Sequence, residues 1–378
     1  MEHFVEVFFY APEKISLLWL PVVRYRTGWA TFVNLQAVPN CHMQKKSFQF
    51  THATTDYYFD ERFSNLKHLA DPKKTVLITD ENLFSAHTSK FKNWRTIVVA
   101  AGESNKVQAT VNTIIDQLIQ LEADRTFMLV GVGGGVITDM TGYVASVFMR
   151  GLSFGFVPTS VLAMIDASIG GKNGIDVGVY KNMVGTIRQP QFILYDTRFL
   201  STLPQDEWRG GFAEIIKHAA IKDAKMFGEL ETNSLDTYQK KPASMALLIR
   251  RNATLKTKVV QGDEFEQGDR KLLNFGHTLG HALENVHHLS HGEAVAIGMA
   301  FAAKLSQPFL SFKQADRVIS LIQQYRLPVS ITYDKKQIFD ILKSDKKRAA
   351  GGMNYVLLQR IGKGVVHKLP LEDIFKYM

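Results

Sequence analysis

Three histidines fall within one stretch of the chain, RKLLNFGHTLGHALENVHHLSHGEAVAIGM, from Arg270 to Met299. His277 and His281 stand four residues apart, so a helix would present both rings on one face. His291 precedes Gly292 and Glu293 at what reads as the next helix start. A single histidine is more often structural than ligating. Three so placed can hold a divalent cation, with a carboxylate from elsewhere completing a zinc-type site that keeps one position open. Spacing alone makes His277 and His281 the nitrogen ligands and Glu214 or Glu293 the oxygen ligand, and leaves His287 and His288 as surface residues. Glu214 and Lys217, in GGFAEIIKHA, sit three apart on one helical face, which an exposed ion pair explains equally well. The glycines Gly131, Gly133, Gly134 and Gly135, followed by Asp139, suit a strand-to-helix turn that admits a pyrophosphate to the backbone. The text GVGGGVITD is not GxGxxG, and a plain tight turn fits it as well. Between Pro158 and Asp176, Asp166 and two adjacent glycines lead to Lys172, whose ammonium can hold a phosphate as a point charge. Lys181 and Asn182 follow and can converge on the same site.

The elements that must position these groups are legible as patterns. TVLIT (75–79), TIVVA (96–100) and FMLVGV (127–132) are short apolar runs of the kind buried in parallel sheets. Val107, Val111, Ile114, Ile115 and Leu118 follow a helical period, as does the segment holding Met140, Val144 and Val147. Strand, helix, strand, glycine turn and helix make an α/β nucleotide-binding half. After about residue 200 the chain reads as helices over 205–231, 243–260, 271–286, 292–306 and 314–325. The predicted fold is α/β plus α. An N-terminal α/β nucleotide-binding domain with a mostly parallel sheet spans 43–203, and a mainly helical metal-binding domain spans 204–378. Residues 1–42 differ in character, holding two of the four Trp and the only Cys, and are expected to be an extension or a start assigned too far upstream.

Of 378 residues, 46% are hydrophobic and 21% charged, which excludes disorder as the dominant state. A lone Cys41 excludes a disulfide scaffold and makes a reducing, cytoplasmic setting the default. No apolar run approaches the roughly 20 residues of a membrane span. The net charge of +9 suits anionic ligands, while zinc-finger spacing and basic helices with interleaved aromatics are missing, so neither membrane nor nucleic acid is expected as a partner.

The ordered set GGGVITD (133–139), MRG (149–151), PTSVLAMIDASIGGK (158–172), YKNMVG (180–185), FLSTLP (199–204), AEIIK (213–217), DEFEQGDRKLLNFGHTLGHA (263–282) and HGEAVAIGM (291–299) closely resembles the 3-dehydroquinate synthases. The resemblance runs from about Thr75 to Gly364. It implies a dehydroquinate synthase-like fold, NAD, and zinc or cobalt as cofactors. It also implies conversion of 3-deoxy-D-arabino-heptulosonate 7-phosphate to 3-dehydroquinate and phosphate, by transient oxidation, β-elimination, re-reduction and aldol closure. The implied metal ligands are Glu214, His277 and His291, which moves His281 from metal to substrate. The implied substrate residues are Asp166, Lys172, Asn182, Lys217, Lys256, Arg270, Asn274 and His281, with Lys346 or Lys347 adding a phosphate contact. Arg150 is implied to reach the substrate of the neighbouring subunit in a homodimer. The implied cofactor residues are Asp80, Asn82, Gly102, Glu103, Lys106, Gly135, Val136, Ile137, Thr138, Asp139, Thr159, Ser160, Lys172, Lys181, Phe199 and Thr202.

Departures from the family pattern are few. Thr138 stands where Gly is usual, Ser160 replaces Thr, Ala167 replaces Ser, Tyr180 occupies a small-residue position and Phe265 a frequent Arg position. Rival readings are the sibling cyclases that make 2-epi-5-epi-valiolone or 2-deoxy-scyllo-inosose, and a polyol dehydrogenase of the glycerol dehydrogenase type. Lys256, Arg270 and Asn274 favour the dehydroquinate synthase pattern, and the intact ligand set disfavours a catalytically dead paralogue.

Overall fold

The computed structural model describes residues 45–178, 180–345 and 352–378, together with four short strands ahead of them. Those strands lie in a unit of residues 1–43, where Phe4–Glu6 pairs antiparallel with Trp19–Pro21, and Arg24–Tyr25 with Gly28–Trp29. The remainder of residues 1–42, and Lys346 and Lys347, fall outside the described residues, so the expectations placed on them go no further here.

Residues 44–378 form one compact unit. Its sheet has seven strands: β1 (Lys45–Gln49), β2 (Thr54–Tyr58), β3 (Thr75–Asp80), β4 (Arg95–Val99), β5 (Met128–Gly133), β6 (Ser153–Pro158) and, after a separate hairpin of β7 (Lys172–Val177) and β8 (Tyr180–Ile187), β9 (Phe192–Leu194). The order across the sheet is β1-β2-β9-β6-β5-β3-β4. All neighbours are parallel except the β1/β2 edge. β3 is buried at every position but its last, which is why its sequence is continuously apolar rather than alternating. The strand order reverses between β3 and β5, since the chain leaves β3 toward β4 and β5 toward β6. Parallel sheets bind ligands at the carboxyl ends of strands beside such a reversal. Asp80 closes β3 and Gly133 closes β5 at that place.

Helix α1 (Gln108–Gln120) buries Val111, Ile114 and Leu118, as its period predicts. Helix α2 (Gly135–Val147) starts immediately after β5. Beyond the sheet come α3 (Gln205–Lys222), α4 (Ala224–Glu231), α5 (Pro242–Gly262), α6 (His277–His287), α7 (His291–Leu310), α8 (Ala315–Gln324) and α9 (Lys335–Asp345). Two expected helices are broken. Residues 205–231 divide at Asp223, whose carboxylate accepts from Met226 N (3.0 Å) and caps α4. Residues 271–286 divide at Gly276, whose φ of +84° suits glycine; a 3₁₀ turn, Asp269–Asn274, precedes it. A C-terminal hairpin, β10 (Met353–Arg360) and β11 (Lys363–Leu369), packs on α7, and Ser306 Oγ accepts from Leu358 N (2.9 Å).

Two close approaches fix the geometry that matters. A Cβ on Gly292 would stand 2.3 Å from Gly210 Cα, so the start of α7 lies directly against α3. A Cβ on Gly298 would stand 1.8 Å from Gly276 O, which holds α7 equally tightly against the start of α6.

Candidate active site

Those contacts bring together three side chains. Glu214 lies one turn along α3 from Gly210, His291 is next to Gly292, and His277 opens α6 beside Gly276. Glu214 Oε1 is 3.5 Å from His277 Nε2 and 3.2 Å from His291 Nε2, and one donor atom from each residue lies within 4.8 Å of the others. A tetrahedral zinc with arms of about 2.0–2.1 Å has ligand atoms roughly 3.3 Å apart, so this donor set fits a divalent cation. The spacing-only assignment is thereby corrected twice. The convergent trio takes His291 rather than His281. Glu293 is used locally, because its carboxylate accepts from Ser290 N (3.1 Å) and Ser290 Oγ (2.7 Å) in a capping box. His281 lies beside the trio, its ring centroid 5.1 Å from that of His277, and a second candidate group of His281, Glu284 and His291 overlaps the first.

The electrostatics suit ligation. Burial alone would raise the Glu214 carboxyl, but the paired Lys217 ammonium, with His277 and His291 beside it, holds it far below the usual range. Glu214 and Lys217 are both buried, not an exposed helical pair. Burial and the nearby Lys217 push His277 well below its ordinary value, leaving the ring neutral, with one nitrogen free to ligate, near neutrality. Burial also lowers His291, yet its contacts with Glu214 and Glu284 outweigh that and raise it to about 9.

Of the substrate residues implied by the resemblance, Lys217 and Asp166 lie against this trio, and the others are held by partners of their own. Lys256 Nζ, on buried α5, meets Asp166 Oδ1 at 2.6 Å and donates to Asp166 O at 2.8 Å. Burial pushes Asp166 up, but Lys256 and Lys217 outweigh it and hold its carboxyl low. Arg270 is buried and donates to Glu264 O and Gly170 O, the latter at 3.0 Å. Asn274 Nδ2 donates to Glu266 Oε1 (2.7 Å), and the other oxygen of Glu266 pairs with Lys172. Asn182 Oδ1 accepts from Lys106 Nζ (2.6 Å). Arg150 stands apart, exposed at a sharp turn where Met149 and Arg150 both have positive φ.

At the strand reversal, no side chain caps α2, so its first backbone N–H groups are left for a ligand at the glycine turn. Lys106, almost fully buried, donates to Asp139 Oδ2 (2.6 Å) in the second turn of that helix. This arrangement fits a dinucleotide pyrophosphate. Thr138 turns its hydroxyl back onto Gly135 O (2.9 Å), so the departure from Gly leaves the turn open. Asp80 caps the next short helix through Leu83 N (2.9 Å), Asn82, Gly102 and Glu103 are exposed nearby in sequence, and Val136 is half-buried while Ile137 is core. Thr159 and Ser160 are buried beyond β6, with Ser160 Oγ accepting from Ala163 N (3.1 Å). Phe199 is buried edge-on to His87, whose Nε2 bonds Thr202 Oγ1 (2.9 Å). Lys181 pairs its ammonium with Glu284 on α6.

Three groups escape sequence reasoning. Glu266 bridges Lys172 and Asn274 from a loop position with φ +59°. Glu284 lies beyond the histidine pattern. His218, fully buried, sets Nδ1 3.2 Å from Asn252 Oδ1 and Nε2 3.5 Å from Asp166 Oδ1. Only the position of His218 beside Lys217 in AEIIKH carries a signal.

Sequence models of the 3-dehydroquinate synthase family match residues 96–210 (N-terminal part) and 211–348 (C-terminal part). A 3-dehydroquinate synthase of Dichelobacter nodosus is 40% identical over 314 residues, covering 79% of this chain and 85% of that protein. Among solved structures, 2-epi-5-epi-valiolone synthase from Streptomyces hygroscopicus, with NAD+ and Zn2+ bound, is similar at TM-score 0.79 and 26% identity, covering 88% of this chain and 97% of that one. A 2-deoxy-scyllo-inosose synthase complexed with carbaglucose-6-phosphate, NAD+ and Co2+ follows at TM-score 0.77 and 26% identity, covering 88% and 100%.

Proposed function

The chain belongs to the 3-dehydroquinate synthase family, and on that premise we propose that it converts 3-deoxy-D-arabino-heptulosonate 7-phosphate into 3-dehydroquinate and inorganic phosphate, a carbon–oxygen lyase reaction leading toward chorismate. The observation that carries this reading is the Glu214–His277–His291 trio set against the buried Lys217 and the Asp166–Lys256 pair. NAD supplies a transient oxidation and its reversal, and zinc or cobalt supplies Lewis acidity toward the substrate oxygen concerned. Glu214, His277 and His291 would hold the cation. Lys106, the turn from Gly135 to Asp139 and the carboxyl ends of β3 and β5 would hold the dinucleotide.

The chain's own groups bind, orient and move protons. Arg270, with its planar fork, suits the substrate carboxylate, and Lys172, Asn182 and Asn274 suit the phosphate. Glu266 now occupies Lys172 and Asn274, so an anionic substrate group entering there must displace or share its carboxylate. His281, beside the metal-type trio, is placed to relay a proton between the substrate and water. Lys217 and Lys256, buried and paired with Glu214 and Asp166, hold fixed ion pairs in place before any substrate arrives, which is where preorganised electrostatics acts.

We also keep the division of the chain near residues 203/204, and a homodimer in which Arg150 serves the neighbouring site. Among the described residues no helix is long and apolar enough to cross a membrane; we place the protein in the cytoplasm on the single cysteine. The test is phosphate release from 3-deoxy-D-arabino-heptulosonate 7-phosphate with catalytic NAD and zinc, following NADH absorbance in the same cuvette. Stoichiometric phosphate without accumulating NADH supports the reading. Release only from sedoheptulose 7-phosphate or glucose 6-phosphate would make it a sibling cyclase, and steady NADH from a simple polyol would make it a dehydrogenase.

A further inference from the structure

Glu284 lies one turn beyond His281 on α6, and its carboxylate is buried. It is held from two sides. Oε1 takes the Lys181 ammonium from β8, and Oε2 faces His291 Nδ1 at 3.6 Å. The other ring nitrogen of His291, Nε2, is the one that faces Glu214. The ring therefore points one nitrogen at the candidate metal position and the opposite one at Glu284. An imidazole that ligates through Nε2 keeps its hydrogen on Nδ1, and whatever accepts that hydrogen fixes the tautomer and the ring plane. At 3.6 Å the pair is a charge contact rather than a hydrogen bond.

Lys181 prevents the carboxylate from turning away. Its neighbour Asn182 reaches in the other direction, accepting from Lys106, which in turn holds Asp139 in α2. Successive residues of one strand are thus tied to the histidine helices and to the glycine turn.

We propose that Glu284 is a positioning residue that fixes His291 for metal binding, and that Lys181 locks Glu284 in place, so that the seating of the β7/β8 hairpin is felt at the metal position. This rests on the reading of Glu214, His277 and His291 as ligands. The test measures zinc affinity by chelator competition, and the visible spectrum of the Co2+-loaded protein, for Glu284→Gln, Lys181→Met and Glu214→Gln. Removing an outer-shell partner of this kind typically costs 10–100-fold in metal affinity. Glu284→Gln is expected to lose about that much and to shift the Co2+ bands. Lys181→Met, altered at a partly exposed side chain that leaves the core intact, is expected to lose several-fold. Wild-type zinc affinity and Co2+ bands in Glu284→Gln, with Glu214→Gln failing to bind, would overturn the proposal. Loss in Glu284→Gln as complete as in Glu214→Gln would overturn it too, making Glu284 a ligand. Unchanged affinity in Lys181→Met would overturn the locking role. Unchanged affinity in Glu214→Gln would sink the ligand reading itself.

Discussion

At the scale of single residues, the two histidines of the trio differ before any cation arrives. His277 is buried beside Lys217 and is held neutral, whereas His291, touching two carboxylates, is raised to about 9 despite its burial. A ligand must give up its proton to bind. Near neutrality His277 has no proton to lose at its ligating nitrogen and Glu214, held low, has none either, so His291 alone must release one. As pH rises toward about 9 the competing proton is withdrawn. Zinc affinity is therefore expected to increase about tenfold per unit between about pH 6 and 8. Chelator titration over that range checks it, and a flat profile would show that His291 is already deprotonated. Prolonged chelation should abolish phosphate release, with zinc restoring it.

At the scale of elements, the contact of Gly292 with Gly210 sets the distance between α7 and α3, and hence between His291 and Glu214. Gly292→Ala would drive a Cβ into backbone at 2.3 Å, and backbone cannot rotate away. It is expected to weaken zinc binding at least tenfold and to destabilise the fold by about 1–3 kcal/mol, although no ligand is touched. Gly228→Ala, in α4 with nothing within 4 Å of the new Cβ, serves as the control and is expected to stabilise by about 0.5–1 kcal/mol. Thermal melts and chelator titration of the two variants check both expectations. The same elements show what a sequence can and cannot disclose. Apolar period located β3, β5, α1 and the long helices, because period records which face is covered. It could not reveal that Asp223 ends one helix by capping the next, nor that Glu293 is spent on Ser290. Spacing of four put His277 and His281 on one face, but ligation depends on which helix lies opposite. The glycine contacts that decide this join residues 82 and 22 positions apart. Family resemblance named His291 where spacing did not, and neither route pointed to Glu284 or His218, whose partners come from distant segments.

At the scale of the whole molecule, the outward face of the β7/β8 hairpin is apolar. Tyr180 and Met183 are about two-thirds exposed, and Ile187, Val147 and Met149 are also uncovered. α2 supports this hairpin through Thr186 Oγ1 to Ser146 Oγ (3.0 Å) and Arg188 to Ala145 O (2.9 Å), which places the patch beside Arg150. Exposed apolar side chains gathered on one hairpin are the kind of surface on which the proposed homodimer would associate. If the proposed homodimer uses this hairpin, Met183→Glu with Ile187→Lys is expected to yield monomers in sedimentation and to lower activity; dimers that persist would put the interface elsewhere. The Lys256–Asp166 pair, its lysine buried and its carboxylate mostly so, has a final consequence for how robust the protein can become. Buried ion pairs replaced together by apolar side chains of similar volume are often neutral or stabilising, by about 1–4 kcal/mol. Asp166→Leu with Lys256→Met is thus expected to melt no lower than the natural chain while releasing no phosphate; a marked drop in Tm would show that the pair holds the fold. The expected outcome would mean that a pair required for turnover costs the fold some of its thermal endurance, so that a more heat-tolerant version of this chain would be a less active one.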